Sequence, residues 1–135
     1  PYNTVTAPGD SLESITVTAY QYRDNSLYVH ASRGFMPDGN VVPQVAAPGV
    51  QIRIPLLNGL YGNASGTSLS AAQTAGAAAL LFEWAVIRGN QPYFTGSSVK
   101  NYITRGAERE ERMQYPNRDW GFGRMDLYHT FELLA

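Results

Sequence analysis

Between Ser68 and Arg88 the sequence predicts a helix that has no polar face. Its central part, residues 75–82, reads Ala-Gly-Ala-Ala-Ala-Leu-Leu-Phe and is apolar on every side of a helical wheel. A helix of this kind is stable in water only when other elements cover nearly all of its surface. Gly76 costs about 1 kcal/mol relative to alanine in an exposed helix, so we expect a close packing partner beside it. The fold must therefore place layers on both sides of this helix.

The other predicted elements are short and supply only part of those layers. Alternating β-branched residues indicate strands, and Gly, Pro and Asn clusters indicate turns. The strands are expected at 14–20, 27–31 and 51–54, with an apolar Pro-Gly run at 45–50 and a glycine-rich loop at 57–66. Thr67 or Ser65 is expected to cap the long helix, and a second helix is expected at 97–104 with Gly106 at its end. A last amphipathic segment is expected to turn four residues inward: Met125, Tyr128, Phe131 and Leu134. This order predicts one part of an α/β domain.

Composition excludes several classes of function. Ten basic and eleven acidic side chains give a net charge of -1, and the cations are scattered, so we expect no binding of nucleic acid or of an anionic membrane. The absence of cysteine excludes disulfides, thiolate zinc sites and cysteine nucleophiles. The most apolar stretch, Ala71 to Ile87, contains Gln73 and Glu83, and we expect it to fall short of a membrane span.

The low charge content also predicts how the chain behaves by itself. Charged residues make up 16% of the sequence, against roughly 25% in typical soluble proteins. We therefore expect part of the surface to be covered by something else, and we expect self-association when the chain is isolated. The sequence begins at Pro1 without Met or a signal core, which predicts that it was cut from a longer polypeptide.

Ser68 is the residue best placed to take part in a chemical reaction. It stands at the first turn of the long helix, after a glycine-rich loop, where backbone N–H groups are unpaired and the helix end is partially positive. An oxyanion formed beside its hydroxyl would be stabilised there, as acyl transfer requires. Gly66 would let a substrate backbone approach closely. From these residues alone a simple capping role for the serine stays open, and Ser70 after Leu69 disfavours the G-x-S-x-G elbow of α/β hydrolases.

Several motifs stand before, at and after Ser68. They are Ser-Arg-Gly at 32–34, Val-Ala-Ala-Pro-Gly-Val at 45–50, Gly-Thr-Ser at 66–68 running to Ala-Gly at 75–76, and Gly-Phe-Gly-Arg-Met-Asp at 121–126. In order and spacing these motifs resemble those of the subtilisin-like serine proteases. The stretches Leu-Phe-Glu-Trp at 81–84, Arg-Gly-Ala-Glu-Arg at 105–109 and Tyr-Pro-Asn-Arg-Asp-Trp-Gly at 115–121 are similar to the clostridial Csp-type branch. That branch acts in spore germination and cleaves the pro-form of a cortex-degrading hydrolase.

The resemblance implies a fold and a set of site residues. Residues 1–135 would be the C-terminal portion of a three-layer α/β subtilisin-like peptidase domain, with a parallel sheet and a buried nucleophile helix. Ser68 would be the nucleophile and its backbone N–H an oxyanion donor. Leu69 would lie on the leaving-group side, and Ser65 would border the extended substrate strand beside Gly66. The family usually has proline four residues after the nucleophile, where this chain has Ala72.

The rest of a catalytic triad does not occur in this sequence. The family's Asp and His motifs, and its oxyanion Asn, precede the region that resembles this chain, and His30 lacks the usual His-Gly-Thr context. We expect His30 and His129 to be surface residues. Turn, cap or surface roles are expected for the aspartates Asp10, Asp24, Asp38, Asp119 and Asp126. No metal site or cofactor is predicted, because residues 1–10, where some family members bind calcium, lack the density of ligands.

Two functions from different classes follow. In the first, the chain supplies the nucleophile of an Asp-His-Ser endopeptidase and is inactive alone. It needs the N-terminal remainder of the domain as its partner and acts on a protein substrate, for which the resemblance implies a spore cortex hydrolase precursor. In the second, the protein is a pseudoprotease that keeps the fold as a binding scaffold. A third idea, an independent interaction module, requires a stably folded monomer, which the apolar helix disfavours. The resemblance implies a secreted or spore-associated protein.

Overall fold

The computed structural model describes residues 2–134. Five strands precede three helices along this part of the chain, and a 3-10 turn at Leu57–Gly59 joins two of the strands. The elements are β1 (Val17–Gln21), β2 (Ser26–Leu27), β3 (Val45–Pro48), β4 (Ile52–Pro55), β5 (Tyr61–Ala64), α1 (Thr67–Phe82), α2 (Gly96–Gly106) and α3 (Leu127–Glu132). One π-helical turn, Glu83–Ile87, continues α1.

The central sheet is built on a parallel pair of strands. β1 lies parallel to β3, with Val17 opposite Val45 and Tyr20 opposite Pro48, and antiparallel to the short β2. The backbone after Gly123 extends the sheet beyond β3, since the Met125 N–H donates to the Ala46 carbonyl at 2.7 Å. β4 and β5 form a separate antiparallel hairpin that leads directly into α1. The predicted α/β class with a parallel sheet is therefore confirmed.

The helices pack together on one face of this sheet. Val45 of β3 shares a core cluster with Leu81 of α1 and with Val99 and Ile103 of α2. On β1, Tyr20 points to the other face, where its ring lies 5.7 Å from that of Trp120. Burial raises the pKa of Tyr20. Within the described residues, the second face is thus covered by irregular segments.

Only one side of α1 is buried by residues 2–134. Its buried residues, Ser70, Thr74, Ala77 and Leu81, recur at helical spacing and face the sheet. The opposite side exposes Ala72, Ala75, Gly76 and Leu80, and a Cβ atom on Gly76 would have nothing within 4 Å. The predicted burial on all sides, and the close partner expected for Gly76, are not provided by the described part of the chain. The sequence pattern nevertheless marks this apolar face as one that needs a cover.

The length of the same helix also differs from expectation. With its π turn it runs from Thr67 to Ile87, 21 residues with a mean hydropathy of 1.2, which by length and composition is enough to cross a membrane. We expected this stretch to be too short. The core helix of a soluble protein meets the same criterion, and this helix packs against β1 and β3.

Several predicted boundaries are wrong for local reasons. The strand expected at 27–31 ends at Leu27, because the Ala31 N–H bonds to the Tyr28 carbonyl and closes a turn. The strand expected at 14–20 begins only at Val17. The loop expected at 57–66 contains β5, which the glycine content concealed. Tyr128, expected to face inward, is 75% exposed, because α3 turns Leu127 and Phe131 toward the core instead.

The mixed charges at residues 108–112 have a partly structural role. Arg124 is buried at the edge of the sheet, and its guanidinium lies 3.1 Å from a Glu108 oxygen and 3.2 Å from a Glu110 oxygen. Glu108 also exchanges two backbone hydrogen bonds with Arg124. The run therefore neutralises a buried cation and ties the end of α2 to the segment before α3.

The contact between α2 and α3 generates a prediction about stability. A Cβ atom at Gly106 would lie 2.7 Å from the Cα of Thr130, whereas one at Gly96 in the same helix would meet nothing within 4 Å. We expect Gly106→Ala to lower the free energy of unfolding by about 1–3 kcal/mol, because the added methyl overpacks this contact. Gly96→Ala should leave it unchanged or raise it by up to about 1 kcal/mol. Denaturant titration of both variants measures this, and equal stabilities would contradict it.

The exposed face of α1 generates a prediction about association. Leu80 on that face is 53% exposed, and Leu133 beyond α3 is a matched control at 49%. We expect the isolated chain to self-associate and Leu80→Lys to reduce its average mass in sedimentation, because a charge there opposes burial of the face. Leu133→Lys should leave the mass unchanged. A compact monomer with a cooperative melt, before any substitution, is the result that would refute self-association.

Candidate active site

The structure places Ser68 as the second residue of α1, with its side chain exposed. The N-cap of this helix is Gly66, and no side chain makes a capping hydrogen bond. The caps predicted at Thr67 or Ser65 are therefore wrong, and so is the alternative that Ser68 is only a cap. Ser65 instead accepts a hydrogen bond at its Oγ from the Gln51 N–H at 2.9 Å. Within residues 2–134 the hydroxyl of Ser68 is exposed and caps no backbone N–H.

The start of α1 provides a favourable electrostatic position for an anion. The Leu69 N–H turns back to the Gly66 carbonyl at 3.1 Å, and the N–H groups of Thr67 and Ser68 precede any acceptor within the helix. The aligned peptide dipoles of a 16-residue helix add partial positive charge at this end. A negative oxygen beside the Ser68 hydroxyl would be stabilised by both effects.

Ser68 opens onto a groove of about 540 Å³ between α1 and the segment that leads into β1. The opposite wall consists of Pro8, Gly9 and residues 14–17, and Ala71 continues the floor along α1. A smaller apolar groove of about 250 Å³ follows between β1 and α1, lined in part by Ile15, Val17 and Ala75. Within residues 2–134 the molecule is therefore open on this side of the serine.

The other predicted site residues surround Ser68 in sequence. Gly66 is half-buried, and a Cβ atom there would meet only the Ser68 nitrogen, at 3.9 Å, so the surface in front of it is open. Leu69 is half-buried and Ser65 is exposed. Ser65 and Ser68 are therefore the exposed members of this set, whereas Gly66 and Leu69 are partly covered by the described chain.

Sequence reasoning missed two polar residues just beyond the serine. Ser70 is fully buried, and its Oγ donates to the Ala47 carbonyl at 2.9 Å, with the Pro48 carbonyl at 3.1 Å. Gln73 donates from Nε2 to the same Pro48 carbonyl at 2.9 Å. The available signal was the placement of two polar residues, three apart, on an otherwise apolar helix, which implies buried partners for both.

Neither histidine is brought to Ser68. The ring of His30 is exposed and stacks edge-on against Tyr28, 5.3 Å away, while His129 is exposed on α3 with Nδ1 3.5 Å from a Glu132 oxygen. The predicted surface roles of both are confirmed. Asp126 caps α3 by accepting from the His129 N–H.

The other aspartates serve turns and one ion pair. Asp24 accepts hydrogen bonds from Ser26, which lower the pKa of its carboxyl group, and Asp38 accepts from Asn40. Asp119 forms an ion pair with Arg33. In residues 2–134 no group of three His, Asp or Glu side chains is arranged to hold a metal ion. The described chain thus provides a candidate nucleophile and oxyanion donor without a base.

Comparison with solved structures supports the same fold. The CspB protease of Clostridium perfringens is 38% identical and superposes with a TM-score of 0.94 over 98% of this chain, which corresponds to 29% of that protein's chain. The prenylagaramide maturation protease PagA is 22% identical, with a TM-score of 0.77 over 96% of this chain and 45% of the PagA chain. The patellamide maturation protease PatA is 23% identical, with a TM-score of 0.75 over 94% of this chain and 45% of the PatA chain. At these identities the last two show the fold alone.

The family comparison covers most of the chain. No curated protein sequence matches it significantly. This chain spans less than a third of the CspB chain, so it corresponds to one part of that protease. The model of the subtilase family of peptidases matches residues 2–123. As the motifs around Ser68 predicted, the chain belongs to the subtilase family.

Proposed function

We propose that this chain supplies the nucleophile of a serine endopeptidase. The observation that carries the proposal is Ser68 itself: an exposed serine in the first turn of α1, with no capping role, beside an open groove. Membership of the subtilase family supports the same chemistry.

In the proposed reaction the Ser68 Oγ attacks the carbonyl carbon of the scissile peptide bond. Its proton passes to a histidine outside this chain, and the Ser68 N–H donates to the oxyanion. Collapse of the tetrahedral intermediate breaks the C–N bond and releases the protonated amine, leaving an acyl ester on Ser68. Water then attacks the ester, returns a proton to Ser68 and releases the acid.

Three further residues are proposed to bind the substrate. Ser65 and Gly66 border the extended substrate strand, since the open surface in front of Gly66 allows close approach of a backbone. Leu69 stands on the leaving-group side of the scissile bond. No cofactor has a step in this mechanism.

The partner that completes the site is proposed to be the N-terminal remainder of the domain. It would supply the Asp, the His and a side-chain oxyanion donor, and it would cover the apolar face of α1 around Gly76 and Leu80. Two observations support this: the exposure of that face, and the correspondence of this chain to only 29% of the CspB chain. Residues 1–135 would then be the C-terminal portion of one peptidase domain.

The proposed substrate is a protein, specifically the precursor of a spore cortex hydrolase. Similarity to the CspB protease and the Csp-type motifs at 81–84 and 115–121 support this assignment and a secreted or spore-associated location. Incubation of the full-length protein with the purified precursor, followed by N-terminal sequencing of the product, tests it.

A comparison of two serines tests the nucleophile. Ser97 is the second residue of α2, exposed like Ser68 and equally close to a helix start, so it is a matched control. We expect the full-length protein to be labelled by a fluorophosphonate, Ser68→Ala to abolish labelling, and Ser97→Ala to preserve it, because only an activated serine reacts. Intact mass measures the adduct.

The same experiment separates the endopeptidase from the binding scaffold. A full-length protein that folds but is not labelled contradicts the endopeptidase and favours the pseudoprotease. Labelling that survives Ser68→Ala would place the nucleophile elsewhere.

A second prediction concerns the isolated chain. Because both histidines lie away from Ser68, we expect residues 1–135 alone to show no labelling above that of Ser68→Ala. Addition of the separately produced N-terminal remainder should restore labelling if the two parts associate through the apolar face of α1. Reactivity of the isolated chain equal to that of the full-length protein would show that no outside base is needed.

A further inference from the structure

Two side chains fasten the first turns of α1 to the end of β3. Ser70 donates from Oγ to the Ala47 carbonyl, with the Pro48 carbonyl close by, and Gln73 donates from Nε2 to the Pro48 carbonyl. Ser70 is completely buried, so its hydroxyl has no competing water. The last two residues of β3 thus receive both donors that follow Ser68.

The chain before Ser68 is bonded to the same region. The Gly66 N–H donates to the Gly49 carbonyl at 2.8 Å, and the Gln51 N–H donates to the Ser65 hydroxyl at 2.9 Å. Residues 47–51 therefore hold the backbone on both sides of the serine, while the Ser68 hydroxyl stays unbound and exposed.

Gly49 allows the start of α1 to lie close to the end of β3. A Cβ atom there would collide with the Ser70 hydroxyl, and it would lie 2.7 Å from the Ala19 Cβ and 2.9 Å from the Gly66 carbonyl oxygen. The helix start, β3 and β1 are thus in direct contact below the serine, with little room for the first turn to shift.

We propose that Ser70 and Gln73 are positioning residues for the reaction of Ser68. They fix the start of α1 against a buried strand, and so they set where the Ser68 Oγ and N–H stand relative to a bound carbonyl. The inference rests on the proposed endopeptidase function. Its physical reason is that nucleophilic attack requires the reacting atoms at a defined distance and angle, and displacement by about 1 Å reduces the rate by about a hundredfold.

The test compares two buried hydroxyls on one face of α1. Thr74 is buried like Ser70, but its Oγ1 donates to the Ser70 carbonyl within the helix and not to β3. Ser70→Ala and Gln73→Met remove the donors to β3, and Thr74→Val removes the internal hydrogen bond as a control. All variants are made in the full-length protein. For each one, kcat, KM, the pH profile and the rate of fluorophosphonate labelling are measured. The rates are divided by the folded fraction of the protein, which thermal melting determines.

We expect Ser70→Ala to lower kcat and the labelling rate by about tenfold or more, with KM and the midpoints of the pH profile unchanged. Gln73→Met should act in the same direction with a smaller effect, because Ser70 still donates to the Ala47 carbonyl. Thr74→Val should change melting alone. If Ser70→Ala and Gln73→Met retain the wild-type kcat, or if Thr74→Val lowers kcat equally, the positioning role is wrong. An unlabelled wild type would instead contradict the proposed function, and the inference with it.

Discussion

The packing of α1 against the parallel pair β1 and β3 is the interaction on which the rest of the structure depends. The helix buries Ser70, Thr74, Ala77 and Leu81 against these strands, and α2 joins the same cluster through Val99 and Ile103. Small side chains at the start of this contact, with Gly49 at the end of β3, allow the helix to approach the sheet closely. Because the polar donors after Ser68 bond to the same strand, the contact that stabilises the fold also locates the candidate nucleophile.

The sequence predicted this contact better than it predicted the periphery. The apolar run at 75–82 and the Gly-Thr-Ser motif identified α1 and Ser68, because a long helix and a family motif are strong local signals. The strand β4 was predicted, but its hairpin partner β5 was missed, since Gly62 and the turn at Asn58 interrupt the alternation by which short strands are recognised. Tyr128 was assigned to the core because helical periodicity does not fix which side of a six-residue helix faces inward.

Other features depend on contacts between residues far apart in the sequence, and no local pattern encodes them. Arg124 was not recognised as buried, because its partners Glu108 and Glu110 belong to another segment. The donors Ser70 and Gln73 could be identified in the sequence as polar residues on a largely apolar helix. Their acceptors on β3 could not, because these contacts depend on how the helix packs against the strand. The predicted burial of α1 on all sides was a property of its composition, and the described residues bury only one side of the helix.

The half-covered helix has a consequence for the order in which such a protein matures. Residues 2–134 bring Ser68 to the surface and align its backbone, but in the proposed mechanism they leave it a poor nucleophile until the apolar side of α1 is occupied by the segment that carries the base. Completion of the hydrophobic core and assembly of the catalytic centre would then be the same event. In that case a partly folded molecule would not cleave other proteins. Its Ser68 would become reactive only when the apolar face of α1 is covered, because the same contact would bring the base to the serine.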